Sequence, residues 1–194
     1  MGNNMQDQGF KIISKICEEY YRFPDDNGPL ELAIKIMEAP GFSMHNYAHH
    51  YLVPAVLITV VRSKQHCNED LYLSELHETE KRALNVLPAF CGLYGACGAA
   101  VGTGIFMSVL TGTTPLSKDT WSMCNLITSE TLKKIADIGG PRCCKRGTFI
   151  AIQHTIFFLE EHLSLKLKRP ENVKCNFSKF NLECLKENCP YYKK

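Results

Sequence analysis

A long segment without charge limits what this chain can fold into. Residues 83–117 contain no Asp, Glu, Lys or Arg, although 22% of the 194 residues are charged. Such a segment must be covered on all sides, either by lipid or by other parts of the protein. Pro88, Pro115 and several glycines dilute its hydrophobicity, and the chain has no second segment of this kind. These features favour a buried helix over a membrane-spanning one, so we expect no membrane partner.

The remaining sequence has apolar residues at the three- and four-residue spacing of helices. Helices are predicted over residues 5–22, 29–39, 53–62, 74–87, 96–111, 117–137 and 148–168. No alternation typical of strands persists, so we predict an all-α fold of about seven helices in a single domain, residues 1–194. Its helical core covers residues 5–168 and includes a glycine/alanine-rich central helix. An irregular, cysteine-rich C-terminal tail covers residues 170–194.

Glycine recurs in and just before the central helix, at Gly95, Gly98, Gly102 and Gly104. A glycine inside a helix costs up to about 1 kcal/mol relative to alanine, so its repeated use needs a compensating close approach. Two interpretations stay open. The helix packs tightly against a neighbour, or a ligand lies against bare backbone N–H groups near Cys97. In the second case Gly95 and Gly98 are the cofactor-binding candidates.

Eight of the ten cysteines follow residue 90. The polar N-terminal sequence has no apolar run with a cleavage site, which predicts a cytoplasmic protein. Disulfides are rare there, so grouped cysteines more often bind metal or do chemistry. The expected metal ligands are Cys91, Cys97, Cys143, Cys144, Cys175, Cys184 and Cys189. We interpret Cys17, Cys67 and Cys124 as structural.

The spacing of the cysteines favours an iron–sulfur cluster over zinc. Zinc ribbons and fingers repeat C-x2-C knuckles, and this chain has none. Iron–sulfur clusters accept ligands at irregular spacing, and Cys189-Pro190 matches the Cys-Pro ending of bacterial ferredoxin motifs. Zinc remains the alternative cofactor. Neighbouring side chains diverge by about 100° in a helix, so we expect only one of Cys143 and Cys144 to be a ligand.

The adjacent cysteines lie in a basic turn. Arg142, Lys145 and Arg146 surround them, and a predicted helix begins near Thr148. Positive charge and a helix N-terminus both lower a thiol pKa, which predicts reactive thiolates here.

His45, His49 and His50 precede a predicted buried helix. If that helix starts early, His45 and His49 share a face at i, i+4, and they are the candidate catalytic residues. A solvated histidine loop is the alternative. The sequence has no nucleotide-binding or hydrolase motif, and its net charge of +2 predicts no nucleic-acid partner.

Several segments carry a family resemblance: Met44-His45, His49-His50, Pro54, residues 91–100, Gly102, Gly104, residues 111–116, residues 139–146, and Cys175, Cys184 and Cys189-Pro190. Together they resemble a family called domain of unknown function 5714, from anaerobic bacteria and archaea. The resemblance implies an anaerobic setting. It also implies either a stand-alone domain or one attached to methyltransferase-like domains, and it implies no activity.

Three hypotheses follow. The first is an iron–sulfur protein; if only three cysteines bind the cluster, the open iron suits lyase or sulfur-transfer chemistry, with His45 or His49 moving a proton. The second is a non-catalytic module, stabilised by zinc or thiols, that docks on a partner enzyme such as a methyltransferase. The third is a thiol enzyme with Cys143 or Cys144 as nucleophile. Whether the protein is an enzyme stays open at this point.

Overall fold

Helices form nearly all of the regular structure. The structure, a computed structural model, describes residues 3–193, with side chains from residue 8; residues 1, 2 and 194 of the predicted domain lie outside it. Over the described residues the α-helices are α1 Asn3–Arg22, α2 Pro29–Glu38, α3 Ala48–Lys64, α4 Glu69–Ala83, α5 Phe90–Leu93, α6 Gly98–Leu110, α7 Asp119–Ile138 and α8 Cys144–Leu163. Short 3-10 helices cover Ser178–Phe180 and Lys186–Asn188. The prediction of an all-α fold is confirmed.

Helix α3 is the centre of the core, since its residues from Ala48 to Val61 are all buried. Helices α1, α2, α4, α6 and α8 all pack against it. The sequence placed Pro54 in the first turn of this helix, and that prediction is wrong, because α3 begins six residues before the proline. Proline has no N–H for the carbonyl of His50 one turn earlier. That carbonyl instead faces Gly102 of α6, where an added Cβ would lie 3.1 Å from the His50 oxygen.

The uncharged segment forms α6, which packs against α3, α4, α7 and α8. Its glycines permit the close approach: a Cβ at Gly102 would lie 2.9 Å from Cδ of Pro54, and one at Gly104 would lie 2.2 Å from Oγ1 of Thr128. Tight packing therefore accounts for these two glycines. Across the described residues, no helix is both long enough and apolar enough to span a bilayer.

Helix boundaries also differ from prediction at α4 and α8. Helix α4 begins five residues early because the Asn68 side chain accepts hydrogen bonds from the N–H groups of Asp70 and Leu71. Helix α8 begins at Cys144 rather than at residue 148, and ends at Leu163 rather than at residue 168. The four-residue α5 was not predicted; it contains no buried residue and thus no apolar period.

Aromatic residues fix the tail to the helices. Phe177 is buried in the common core. The Tyr191 ring packs edge-on against Phe149 of α8 at 5.2 Å between centroids. Its hydroxyl donates a hydrogen bond of 2.6 Å to Oε1 of Gln153. The tail thus lies across the N-terminal half of α8, where the adjacent cysteines are.

Candidate functional site

The start of α8 is held in place by a buried arginine. The Arg146 guanidinium donates hydrogen bonds to the carbonyl oxygens of Gly139, at 2.7 Å, and Pro141, at 2.8 Å. These bonds fold the preceding turn back onto the helix. Cys143 is the N-cap residue, and its sulfur accepts the N–H of Arg146 at 3.5 Å. Cys144 is the first residue of the helix.

The two adjacent cysteines differ in the cavities that they line. Cys143 lines a small cavity together with the three tail cysteines, Cys175, Cys184 and Cys189. Cys144 lines a larger cavity together with Cys91 and Cys97. We call the first the tail cavity and the second the helix-end cavity; Cys143 lies on the wall between them. The sequence suggested one site, and the structure divides its candidate ligands between two.

The tail cavity has a volume of about 20 Å³. Apart from the sulfurs, its wall is mainly apolar and includes Met44, Phe149 and Phe177. Backbone N–H groups point at three of its sulfurs: Arg146 to Cys143 at 3.5 Å, Phe177 to Cys175 at 3.4 Å, and Lys186 to Cys184 at 3.4 Å. Such hydrogen bonds stabilise thiolates and are a recognised means of tuning metal-bound sulfur.

The expectation that the basic turn lowers the thiol pKa is wrong for both adjacent cysteines. Burial raises the pKa of Cys143, and it raises the pKa of Cys144 to about 12. In each case the desolvation of the thiolate outweighs the positive charge of a nearby arginine, Arg146 or Arg142. Both thiols are therefore neutral near pH 7 unless a cation binds them.

Lys145 is buried beside the tail cavity and has few polar partners. Its ammonium lies over the Phe42 ring at 4.6 Å and the Phe177 ring at 4.8 Å, and donates to the carbonyl oxygen of Ser43 at 3.2 Å. Burial lowers the Lys145 pKa to about 8, although the neighbouring thiols Cys144 and Cys143 act to raise it. A negatively charged centre next to it would favour the ammonium form.

The helix-end cavity, about 700 Å³, lies between the N-termini of α6 and α8 and the second half of α7. Besides its four cysteines it is lined by His49 and His50, and by Gly95 and Gly98, the two glycines proposed to bind a cofactor. Gly98 makes room for a neighbour, since a Cβ there would lie 1.9 Å from Cδ2 of His50. Gly95 has a φ of +70° and open space around it.

The hydrogen bonds of His49 and His50 fix their tautomers. The Nδ1–H of His49 donates to the carbonyl oxygen of Asn46 at 3.1 Å. The Nδ1–H of His50 donates to the carbonyl oxygen of Val86 at 2.9 Å. Burial lowers the pKa of both side chains, so each imidazole is neutral with a lone pair at Nε2. The Nε2 of His49 is buried without a hydrogen-bond partner.

His45 does not pair with His49 on a helix face, because α3 begins only at Ala48. The backbone N–H of Cys144 donates to its Nδ1 at 3.5 Å, and its Nε2 lies 3.1 Å from Oδ1 of Asn181. His45 thus joins the start of α8 to the tail. The sequence did not identify His50 as a candidate site residue. The structure does, because His50 lines the cavity and its ring lies against Gly98.

Among the side chains of residues 8–193, no group of three or more from His, Cys, Asp or Glu has the geometry to hold a single metal ion. A family model with the description "Family of unknown function (DUF5714)" matches residues 13–192. No curated protein and no solved structure matches the chain.

Proposed function

Since the chain belongs to the family of unknown function DUF5714, whose description names no activity, we propose from its geometry that it is a cysteine-ligated metal protein. The proposed centre is an iron–sulfur cluster in the tail cavity, held by Cys143, Cys175, Cys184 and Cys189. One observation carries the proposal: four cysteines from two distant parts of the chain line a single small cavity.

The surroundings of these cysteines support metal binding over two simpler roles. All ten cysteines, each within the described residues, are free thiols, so disulfides do not explain the grouping. Backbone N–H groups directed at Cys143, Cys175 and Cys184 favour their thiolate forms. The tail has only two short 3-10 helices, and metal ligation supplies a reason for its order.

The arrangement of donors favours a cluster. Around one zinc ion, with Zn–S bonds of about 2.3 Å, tetrahedral sulfurs lie roughly 3.8 Å apart. Nowhere among the described side chains do three donors gather as one ion requires. A cluster takes its cysteines at wider separations, since each binds a different iron or corner. Aromatic walls such as Phe149 and Phe177 also provide the solvent-shielded surroundings that tune its potential.

Zinc is the second candidate, favoured by the size of the cavity. A volume of about 20 Å³ holds little more than one water molecule. A single ion fits that volume once the sulfurs turn inward, whereas a cluster requires the tail turns to move outward.

Four cysteine ligands leave no coordination position open, so we assign this centre a structural or electron-transfer role. Lyase or sulfur-transfer chemistry at an open iron would require one of the four to be released. An electron carrier needs a partner protein, and the methyltransferase-like domains of the family resemblance are our candidates.

Anaerobic purification tests the proposal. We expect a brown protein containing iron and acid-labile sulfide in equal amounts. Cys184→Ser should lose most of this iron and sulfide, because it removes a ligand from a turn without buried hydrophobic residues. Cys124→Ser is the matched control: its sulfur lies on α7, outside both cavities, and it should leave the colour unchanged.

The metal content decides between the two candidates. Stoichiometric zinc without sulfide, lost in Cys184→Ser, would replace the cluster with a zinc centre. A folded protein that binds neither iron nor zinc after anaerobic reconstitution would overturn the proposal for the tail cavity.

A further inference from the structure

Three helix N-termini meet at the helix-end cavity. His50 lies in the first turn of α3, Cys97 is the N-cap residue of α6, and Cys144 is the first residue of α8. The partial positive charge at each helix start favours a thiolate or another anion there. The N–H groups of Ala99 and Ala100 lower the pKa of Cys97 in this way, although burial raises it by more. A bound cation would remove the cost of burying the thiolates.

The three thiols of this cavity lie within electrostatic reach of one another. Cys97 and Cys91 each act to raise the pKa of Cys144, and Cys91 does the same to Cys97. The starts of α6 and α8 are in direct contact, since a Cβ at Gly147 would lie 3.3 Å from the sulfur of Cys97. Two of the sulfurs are therefore carried by helices that pack together.

His50 has the surroundings of a metal ligand. Ligating histidines almost always donate their other ring N–H to a carbonyl or carboxylate, which fixes the tautomer and the ring. The Nδ1–H of His50 donates to the Val86 carbonyl in this manner, and the Nε2 lone pair is left over. Gly98, next to Cys97, gives the ring the space it occupies.

Cys91 lies in a loosely packed segment. It lies on α5, which has no buried residue, and Ala89 at its start has a φ of +62°. Gly92 and Gly95 beside it have no atom within 4 Å of an added Cβ. This open space leaves room for Cys91 to shift toward Cys97 and Cys144 when a metal binds.

We infer that the helix-end cavity holds a second, separate metal site. In it the thiolates of Cys91, Cys97 and Cys144 and the Nε2 of His50 bind one thiophilic divalent ion, such as zinc or iron(II). The structure does not show these donors gathered as one ion requires, so the ion draws them together as it binds. Three cysteines and one histidine are a known zinc ligand set. Binding releases the thiol protons, so affinity rises with pH. A cavity of about 700 Å³ is within the range of small-molecule pockets, and an incoming ligand would displace Cys91, the donor on the short helix α5.

Cobalt(II) titration of the anaerobic protein tests the site. The tail centre is first filled, with iron and sulfide or with zinc. We expect the wild type then to bind one further Co²⁺, with the near-ultraviolet absorption of sulfur-to-cobalt charge transfer. Cys91→Ser, which changes only an exposed segment, should weaken binding by more than the roughly 10–100-fold that loss of an outer partner costs. Cys97→Ser should abolish it, and Cys124→Ser should bind as the wild type does.

The Cys184→Ser variant keeps the two proposals apart, because it lacks a tail ligand but retains all four donors of the second site. Thiolate-bound Co²⁺ in Cys184→Ser supports the second site even if the tail centre proves to be wrong. If the wild type binds no further Co²⁺, or if Cys91→Ser and Cys97→Ser bind it as tightly as the wild type, the second site is overturned.

Discussion

Gly98 determines whether the His50 ring can occupy its place. A Cβ at this position would lie 1.9 Å from Cδ2 of His50, whose ring is held by the Val86 carbonyl and cannot simply swing away. We expect Gly98→Ala to lower the free energy of unfolding by about 1–3 kcal/mol, the usual cost of overpacking. Urea denaturation measures this change.

Gly92→Ala is the control for that substitution. An added Cβ at Gly92 meets no atom within 4 Å, so stability should stay the same or rise slightly. Equal stabilities of the two variants would contradict the close contact between Gly98 and His50.

Cys17 is buried and lines neither cavity, and its titration should be visible in the pH dependence of stability. Burial raises its pKa from 9.0 to about 12. A raised folded-state pKa gives stability that is complete below the unfolded pKa and is lost as pH rises toward 12. Cys17→Ala should thus be less stable than the wild type by about 1 kcal/mol at pH 7.

The wild type should lose this advantage over Cys17→Ala and become the less stable protein between pH 9 and pH 11. Only the wild type has a thiol that must stay protonated when the chain folds. Urea unfolding in reductant at several pH values measures the difference. A gap that stays constant up to pH 10.5 would show that the folded thiol ionises normally.

Single residues also show where prediction from the sequence stops. All the cysteines that line the two cavities were recognised as candidate ligands from grouping and compartment. Their division was not, because it depends on where α8 begins. With Cys143 as N-cap residue and Cys144 as first helical residue, both line the helix-end cavity and only Cys143 also lines the tail cavity.

At the level of elements, a charged pair joins α3 to α4. The Arg62 guanidinium donates to both carboxylate oxygens of Glu75, at 2.6 Å and 2.5 Å, with side chains only 14% and 13% exposed. Glu75→Gln leaves a largely buried guanidinium without its counter-charge. We expect a loss of about 2 kcal/mol in the free energy of unfolding.

Lys133→Gln breaks an exposed pair of Lys133 with Asp137 on α7 and serves as the comparison. It should cost less than about 0.5 kcal/mol. Thermal and urea unfolding of both variants gives the comparison, and a similar small loss in each would mean that the Arg62 pair is effectively solvated.

Apolar periodicity predicted the long helices, because α1, α4, α7 and α8 each bury one stripe or more of their surface. It could not predict α5, which buries nothing. It also placed the start of α3 too late, since Pro54 was expected near a helix start while tertiary packing on Gly102 accommodates it inside. The predicted start at residue 53 therefore left His49 and His50 outside the helix, whereas both lie on α3.

At the level of the whole molecule, the central helix of the uncharged segment was expected to be buried, and α6 is largely buried, with its N-terminus at the second cavity. The rest of the segment is more open, and Leu93 and Leu116 are exposed. The contacts that assemble both cavities are long-range. Cys97 meets the start of α8, and His45 links Cys144 to Asn181. The spacing of residues in a single sequence does not show which distant residues are in contact, so the location of the sites was only partly predictable.

The division of the chain into a helical core and a C-terminal tail predicts the effect of metal removal. The core is formed almost entirely by the helices, and the tail adds Phe177 and a few partly buried side chains such as Tyr191. Stripping the metal with a chelator under reducing conditions should therefore release the tail while α1–α8 stay folded. Far-ultraviolet circular dichroism should change little, and limited proteolysis should cut within residues 170–193.

Cys184→Ser should show the same cleavage without chelator, because it removes a tail ligand, whereas Cys124→Ser should be cut only after metal removal. Mass spectrometry of the fragments locates the sites, and hydrogen exchange reports whether the helices stay protected. Cooperative unfolding of the whole chain on chelation would instead mean that the tail centre holds the helical core together, since the start of α8 is common to both.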